Sequence, residues 1–152
     1  MAPGVRIRRF VPADLEAVLE LERATFGPGA WRREMFAQVA HPPAGLLLVA
    51  ERGRSIAGYV AAWKSGLKAE IVSIAVERRQ RRSGIGAALI RQALQELARR
   101  GVRRTELMVR ADNRAAIRFY QRLGFRRAGW VPGYYEDGSD GLRMRCTLPW
   151  AA

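Results

Sequence analysis

Between residues 69 and 100 the chain changes its hydrophobic period, and no other stretch limits the fold as much. Ala69 to Val76 is a short apolar run carrying Ile71, Val72, Ile74 and Val76, the composition of a buried strand. From Gly84 to Arg100 the period becomes helical: Ile85, Leu89, Ala93 and Leu97 share one face, and Gly101 stands where a helix stop is expected. Only an arginine- and glycine-rich segment joins the two. A strand that passes through so short a connection into a helix with one apolar stripe lays that stripe back on a sheet, which selects helices layered on strands.

The rest of the chain continues the alternation. Val5 to Phe10 alternates apolar and basic residues like a half-buried strand, and Leu15, Val18 and Leu19 open a helix running to about Ala24. After the glycine–proline break from Phe26 to Trp31, the spacing of Trp31, Met35 and Val39 predicts a short second helix, stopped by His41-Pro42-Pro43. Leu46–Glu51, Ile56–Trp63 and Ala69–Val76 read as an antiparallel meander turned at Gly53 and Gly66. Thr105–Val109 is a further strand. Asn113 caps a helix through Ile117, Tyr120 and Leu123 that Gly124 ends, and Phe125–Trp130 and Leu142–Leu148 are closing strands. The expected class is α/β with an α+β mixed sheet, in the order β-α-α-β-β-β-α-β-α-β-β. One domain over residues 1–152 is expected, since 152 residues suffice for a single core.

Charge narrows the partners. Lysine and arginine number 27 against 14 acidic residues, a net +13 that favours anionic ligands, and Lys64 and Lys68 are the only lysines. A nucleic-acid surface would interleave aromatics with basic residues, and neither Arg78, Arg79, Arg81, Arg82 nor Arg99, Arg100, Arg103, Arg104 does so. One cysteine, Cys146, excludes an internal disulfide, and with one histidine, His41, no zinc cluster is expected; a reducing, cytoplasmic setting fits. The opening residues through Phe10 offer no signal-peptide core, and the longest clean apolar run, Leu46 to Ala50, is far below a membrane span of roughly 20 residues.

The sharpest chemical signal is Val76 to Ala87. Gly84 and Gly86, two apart at the mouth of a helix, let main-chain amides approach an anion at the positive helix terminus, and a diphosphate is the natural guest. A dinucleotide fingerprint would need a third glycine where Leu89 stands, and a P-loop would need Gly-Lys-Ser/Thr, which is absent. Arg81, Gly84, Gly86 and Ala87 instead resemble the R-x-x-G-x-G/A motif of the GNAT superfamily of N-acetyltransferases. In the family's order and register, Asn113, Ala116, Tyr120, Gly124 and Phe125 resemble its second motif, N-x-x-A-x-x-x-Y-x-x-x-G-F. Within the superfamily, Ser73–Val76, Val109–Ile117 and Gly133–Gly138 with Asp140 and Met144 are most similar to the RimI-like branch, which acetylates protein N-termini, ribosomal proteins included.

This resemblance implies acetyl-CoA as co-substrate and no metal. It places the cofactor on the strand end Ile74, Ala75, Val76 and on Arg81, Arg82, Ser83, Gly84, Ile85, Gly86 and Ala87, with Asn113, Ala116 and Tyr120 beside its arm. It implies an acceptor pocket walled by Tyr134 and Tyr135 and by the loop around Phe26 and Trp31, with Tyr120 as proton donor to the departing thiolate. A tyrosine packed in its helix and an asparagine that merely caps one are the plain alternatives for Tyr120 and Asn113. The branch carries a glutamate where this chain has Met108, so the general base must come from elsewhere. Glu70 and Glu106 are candidates. If their strands are neighbours, mutual repulsion would raise one of the two, with Glu70 favoured; the alternative is that each is an ordinary strand carboxylate paired with arginine.

An enzyme that acetylates a protein N-terminus is therefore expected, with ribosome association left open and no membrane partner. A small-molecule amine acetyltransferase on the same scaffold is one alternative. A basic, RNA- or ribosome-associated module that binds CoA but turns over weakly is another.

Overall fold

The computed structural model describes residues 4–148, so part of the opening segment read for a signal peptide lies outside it. The strands are β1 (Val5–Arg9), β2 (Gly45–Arg52), β3 (Ser55–Ser65), β4 (Lys68–Val76), β5 (Arg104–Arg110), β6 (Arg126–Val131) and β7 (Gly141–Thr147). Four helices interleave with them: α1 (Leu15–Phe26), α2 (Arg33–Val39), α3 (Ile85–Arg99) and α4 (Arg114–Arg122). This is the element order expected. The seven strands form one sheet in the order β1-β2-β3-β4-β5-β7-β6, antiparallel except where β4 and β5 run parallel. No helix among the described residues is long and apolar enough to cross a membrane.

Two apolar clusters hold the layers. On one face α3 lays Ile85, Leu89, Ile90, Ala93, Leu94 and Leu97 on the sheet, and Ile117 and Tyr120 of α4 join them. On the other face Val18 and Leu19 of α1 and Phe36 and Val39 of α2 cover Leu47, Val49, Tyr59 and Ala61. The buried side of α2 therefore differs from the predicted one. Helical geometry begins only at Arg33, so Trp31 precedes the helix; Phe36 turns inward and Met35 is exposed.

The feature that builds a cleft is in β4. Opposite β3, Ala61 pairs with Ser73 and Ala62 with Ile71, which leaves Val72 as an extra residue, a β-bulge. The bulge reverses the side-chain alternation: Ala69 and Ile71 face α3, whereas Ala75 faces α1 and α2. At the same place β4 loses its other neighbour, because its ladder to β5 covers only Lys68, Ala69 and Glu70. From Ile71 to Val76 the two parallel strands are unzipped, and a slot opens between them.

Candidate active site

At the end of β4 the chain makes a short 3₁₀ turn, Arg78–Gln80, before entering α3. Arg81 donates through Nε to the Val76 carbonyl at 3.1 Å, and the Ser83 hydroxyl donates to the Gln80 carbonyl. Arg82 then adopts φ 67° and Gly84 φ 86°. Arg82 is the one described residue other than glycine with positive φ, a conformation that costs about 1–3 kcal/mol and recurs at ligand clamps. Gly84 is the N-cap of α3 and offers no side chain to it, so no side-chain cap occupies the amides of the first turn. Successive amides at a helix start, without a cap, form an anion nest. Ile85 is buried and contributes to it through its main chain alone. At Gly86 a Cβ would sit 3.4 Å from Phe119 and 3.7 Å from Val76, ordinary contact; this glycine serves the approach of α3 to α4 more than the nest itself.

The opposite wall of the slot is α4. Asn113 caps it, its side-chain oxygen accepting from the Ala116 amide at 3.1 Å, so the plain reading of this residue holds whatever else it touches. Tyr120 is buried edge-on against Phe119 and Phe125, with ring centroids 5.0 and 5.7 Å away. Burial, with a smaller contribution from the Tyr135 hydroxyl, pushes its phenol up to about 12. It is a neutral O–H at any physiological pH.

Two loops flank the slot on the face away from α3. One is the α1–α2 connection, and a group not anticipated from the sequence fixes it. Glu22 of α1 is 2% exposed and accepts from the Tyr59 hydroxyl, from Ser73 Oγ at 2.9 Å and from the Trp31 amide at 2.9 Å. Burial and the neighbouring carboxylate push the Tyr59 phenol far up. The bulge is what turns Ser73 toward Glu22. Trp31 packs on Phe36, with ring centroids 5.3 Å apart, whereas Phe26 is exposed.

The other loop joins β6 to β7. Tyr134 and Tyr135 meet edge to face at 4.9 Å. Arg110 at the end of β5 pins them: its guanidinium lies 4.3 Å over the Tyr135 ring, and it pairs with Asp137 at 2.9 Å and with Ser139. Asp140 closes the loop by accepting from the Gly133 amide at 2.9 Å and from Trp130 Nε1 at 3.0 Å. Below it, Met108 takes the space a side chain at Gly141 would need. A Cβ there would lie 2.6 Å from Met108 Cε and 3.0 Å from Tyr134 Cβ. Met108 is therefore the apolar floor beneath Tyr134.

Glu70 and Glu106 are register partners across β4 and β5, as their facing required. The expected repulsion does not set Glu106, however. Burial pushes its carboxyl up, but Arg145 at 2.7 Å, Arg143 at 3.7 Å and Arg104 at 4.0 Å outweigh this and hold it below the ordinary carboxylate range. Glu106 is thus an ion-paired anion, a poor acceptor of a proton at neutral pH. Glu70 is exposed and makes no ion pair among the described residues.

Residues 15–125 match the acetyltransferase (GNAT) family. The chain is 33% identical over 147 residues to the N-alpha-acetyltransferase RimI of Mycobacterium tuberculosis, an alignment covering 93% of this chain and 91% of the relative. It superimposes on the crystal structure of the ribosomal-protein-S18-alanine N-acetyltransferase from Escherichia coli with TM-score 0.85 at 29% identity, over 97% of this chain and 96% of that one. Arabidopsis thaliana NAA60, solved in complex with acetyl-CoA, shares the fold at TM-score 0.84 and 22% identity, over 95% and 99% of the two chains. A split parallel strand pair, an amide nest at the start of α3, a buried tyrosine on α4 and a family match across most of the chain agree: this protein belongs to the GNAT family of N-acetyltransferases.

Proposed function

We propose that this enzyme transfers acetyl from acetyl-CoA to the N-terminal α-amino group of a protein, a ribosomal protein being the first candidate. One observation carries the reading: the β4–β5 slot runs from an uncapped amide nest to a floor roofed by the tyrosine-pair loop. The nest fits a pyrophosphate in charge and in main-chain conformation, and the guanidiniums of Arg81 and Arg82 stand on the same turn. The chain's likeness to an N-alpha-acetyltransferase and to a ribosomal-protein-S18-alanine N-acetyltransferase supports an α-amine as acceptor.

Acetyl-CoA, when bound, supplies an activated thioester. The chain's own groups do the rest. The edge of β4 beyond Glu70, released from its ladder with β5, provides main-chain donors toward the slot. Tyr120 holds its proton at Oη and can deliver it to a departing sulfur, since a phenol near 12 does not ionise at rest. Trp31, anchored through Glu22, and Tyr134 and Tyr135, anchored through Arg110, position the acceptor. Glu70 is the carboxylate left to take the amine's proton.

Release of CoA thiol measured with peptides beginning in Ala or Ser, with free amino acids and with polyamines tests this. Turnover of the peptides is expected. Turnover of small amines alone would replace the protein acceptor with a metabolite, and RNA affinity without any turnover would leave a binding module.

A further inference from the structure

The ladder around Glu106 defines an unusual patch on the sheet face that also carries Met108. Residues directly opposite each other share a face, so one row runs Glu70, Glu106, Arg145, Arg126 across β4, β5, β7 and β6. The neighbouring rows add Met108 with Arg143, and Lys68 with Arg104. Five cations therefore stand against two carboxylates. Glu106 engages three of the five, Arg143 and Arg104 only at 3.7 and 4.0 Å, and Arg104 Nε is buried without a hydrogen-bond partner. Among the described residues Arg126 and Lys68 make no ion pair. Arg143 and Arg145 keep 35% and 41% of their side chains exposed.

We propose that this face binds carboxylate side chains of the acceptor polypeptide downstream of its acetylated residue, so that the enzyme selects proteins with acidic N-terminal segments. The inference rests on the α-amine reading above and deepens it. Charge complementarity gives the guest, and Glu106 shows the chemistry, because a carboxylate already sits among these guanidiniums. Continuity gives the path, since Arg143 lies directly beside Met108 on the floor beneath Tyr134. Strands spaced about 4.8 Å apart put Arg143 two steps, about 10 Å, and Arg126 three steps, about 14 Å, from the β4 row. An extended acceptor advancing about 3.3 Å per residue reaches that span with its second to fifth residues.

The test uses the full chain, acetyl-CoA and three peptides that share their first two residues and carry Glu, Gln or Arg at positions three to five. The acidic peptide should exceed the neutral one about tenfold in kcat/KM, as two partly exposed ion pairs would give, and the basic one should fall below it. The spread should shrink between about 0.05 and 0.5 M salt. The double variant Arg143→Gln/Arg145→Gln should bring the acidic-to-basic ratio close to one. If the neutral peptide turns over and charge makes no difference, the proposal falls while the α-amine reading stands. A ratio unchanged in the double variant assigns the preference to net charge and also overturns it. Inhibition by single-stranded RNA that the double variant loses, without peptide preference, gives the face to nucleic acid instead. If no peptide is acetylated, the reading beneath the proposal fails and takes it down.

Discussion

Glu22 is the most consequential residue outside the motifs, and replacing it with Leu tests whether a buried carboxylate holds the acceptor loop. The carboxylate has no cation partner among the described residues, so three hydrogen bonds alone offset its desolvation. At about 1.5–3 kcal/mol for each bond to a charged group, they return several kcal/mol, much the same as the penalty for taking one carboxylate out of water. Those two large contributions nearly cancel when leucine removes both. What remains is the set of stranded donors. Tyr59 and Ser73 stay within 3.2 Å and satisfy each other in part, and the half-buried Trp31 amide can recover water. About one unsatisfied donor is left, worth about 1–3 kcal/mol, which for about 150 residues lowers Tm by roughly 2–12 °C. Loss of the Trp31 anchor should also raise the peptide KM with little change in kcat. Thermal unfolding followed by circular dichroism and steady-state kinetics give both readouts. An unchanged Tm together with an unchanged KM would refute the idea that Glu22 organises the loop.

Other perturbations address the slot. Tyr120→Phe removes the proton but keeps the ring, so kcat should fall at least about 100-fold while calorimetric affinity for acetyl-CoA holds; an unaltered kcat would end its role as donor. Gly84→Val forces a β-branched residue to φ 86°, and acetyl-CoA binding should vanish with the fold intact by circular dichroism; retained binding would move the nest elsewhere. Glu106 has a folded-state carboxyl lowered by its arginines, so its stabilisation is full above the ordinary carboxylate range and fades as pH drops through the lowered value. The stability gap between wild type and Glu106→Gln, read by urea titration, should be widest near pH 7 and close below about pH 4; a constant gap would mean the ion pairs contribute nothing. Glu70→Gln should lower kcat/KM for the peptide more than Glu106→Gln does, and a larger loss in Glu106→Gln would exchange their roles.

Much of this architecture was readable because long periods leave little choice. The α3 stripe and the Asn113 cap fixed two helices and their faces from spacing alone. The bulge was not readable. Ile71-Val72-Ser73-Ile74 borders apolar layers on both faces, so no alternation exists there whose reversal could be noticed. Glu22 left a trace that went unused, lying three and four residues beyond Leu19 and Val18 on the buried side of α1, where a surface carboxylate has no place. Glu106 left none. Its two nearer arginines, Arg143 and Arg145, come from β7, some forty residues away, and only strand pairing brings them within reach.

Met108 shows how one substitution can alter what a scaffold is able to accept. Its methyl group fills the space beside Gly141 and under Tyr134, so this floor has become apolar packing for the tyrosine loop and has no group to take a proton. A lysine side chain, near 10.4, would need about 2.6 pKa units more deprotonation than an α-amine near 7.8, roughly 3.5 kcal/mol, and the Met108 thioether contributes nothing toward it. At neutral pH roughly a tenth of an α-amine is already neutral, and on the proposed reading Glu70 takes its proton as the bond forms. On that reading, the packing of Met108 where the expected base would stand favours acceptor amines of low basicity over lysine.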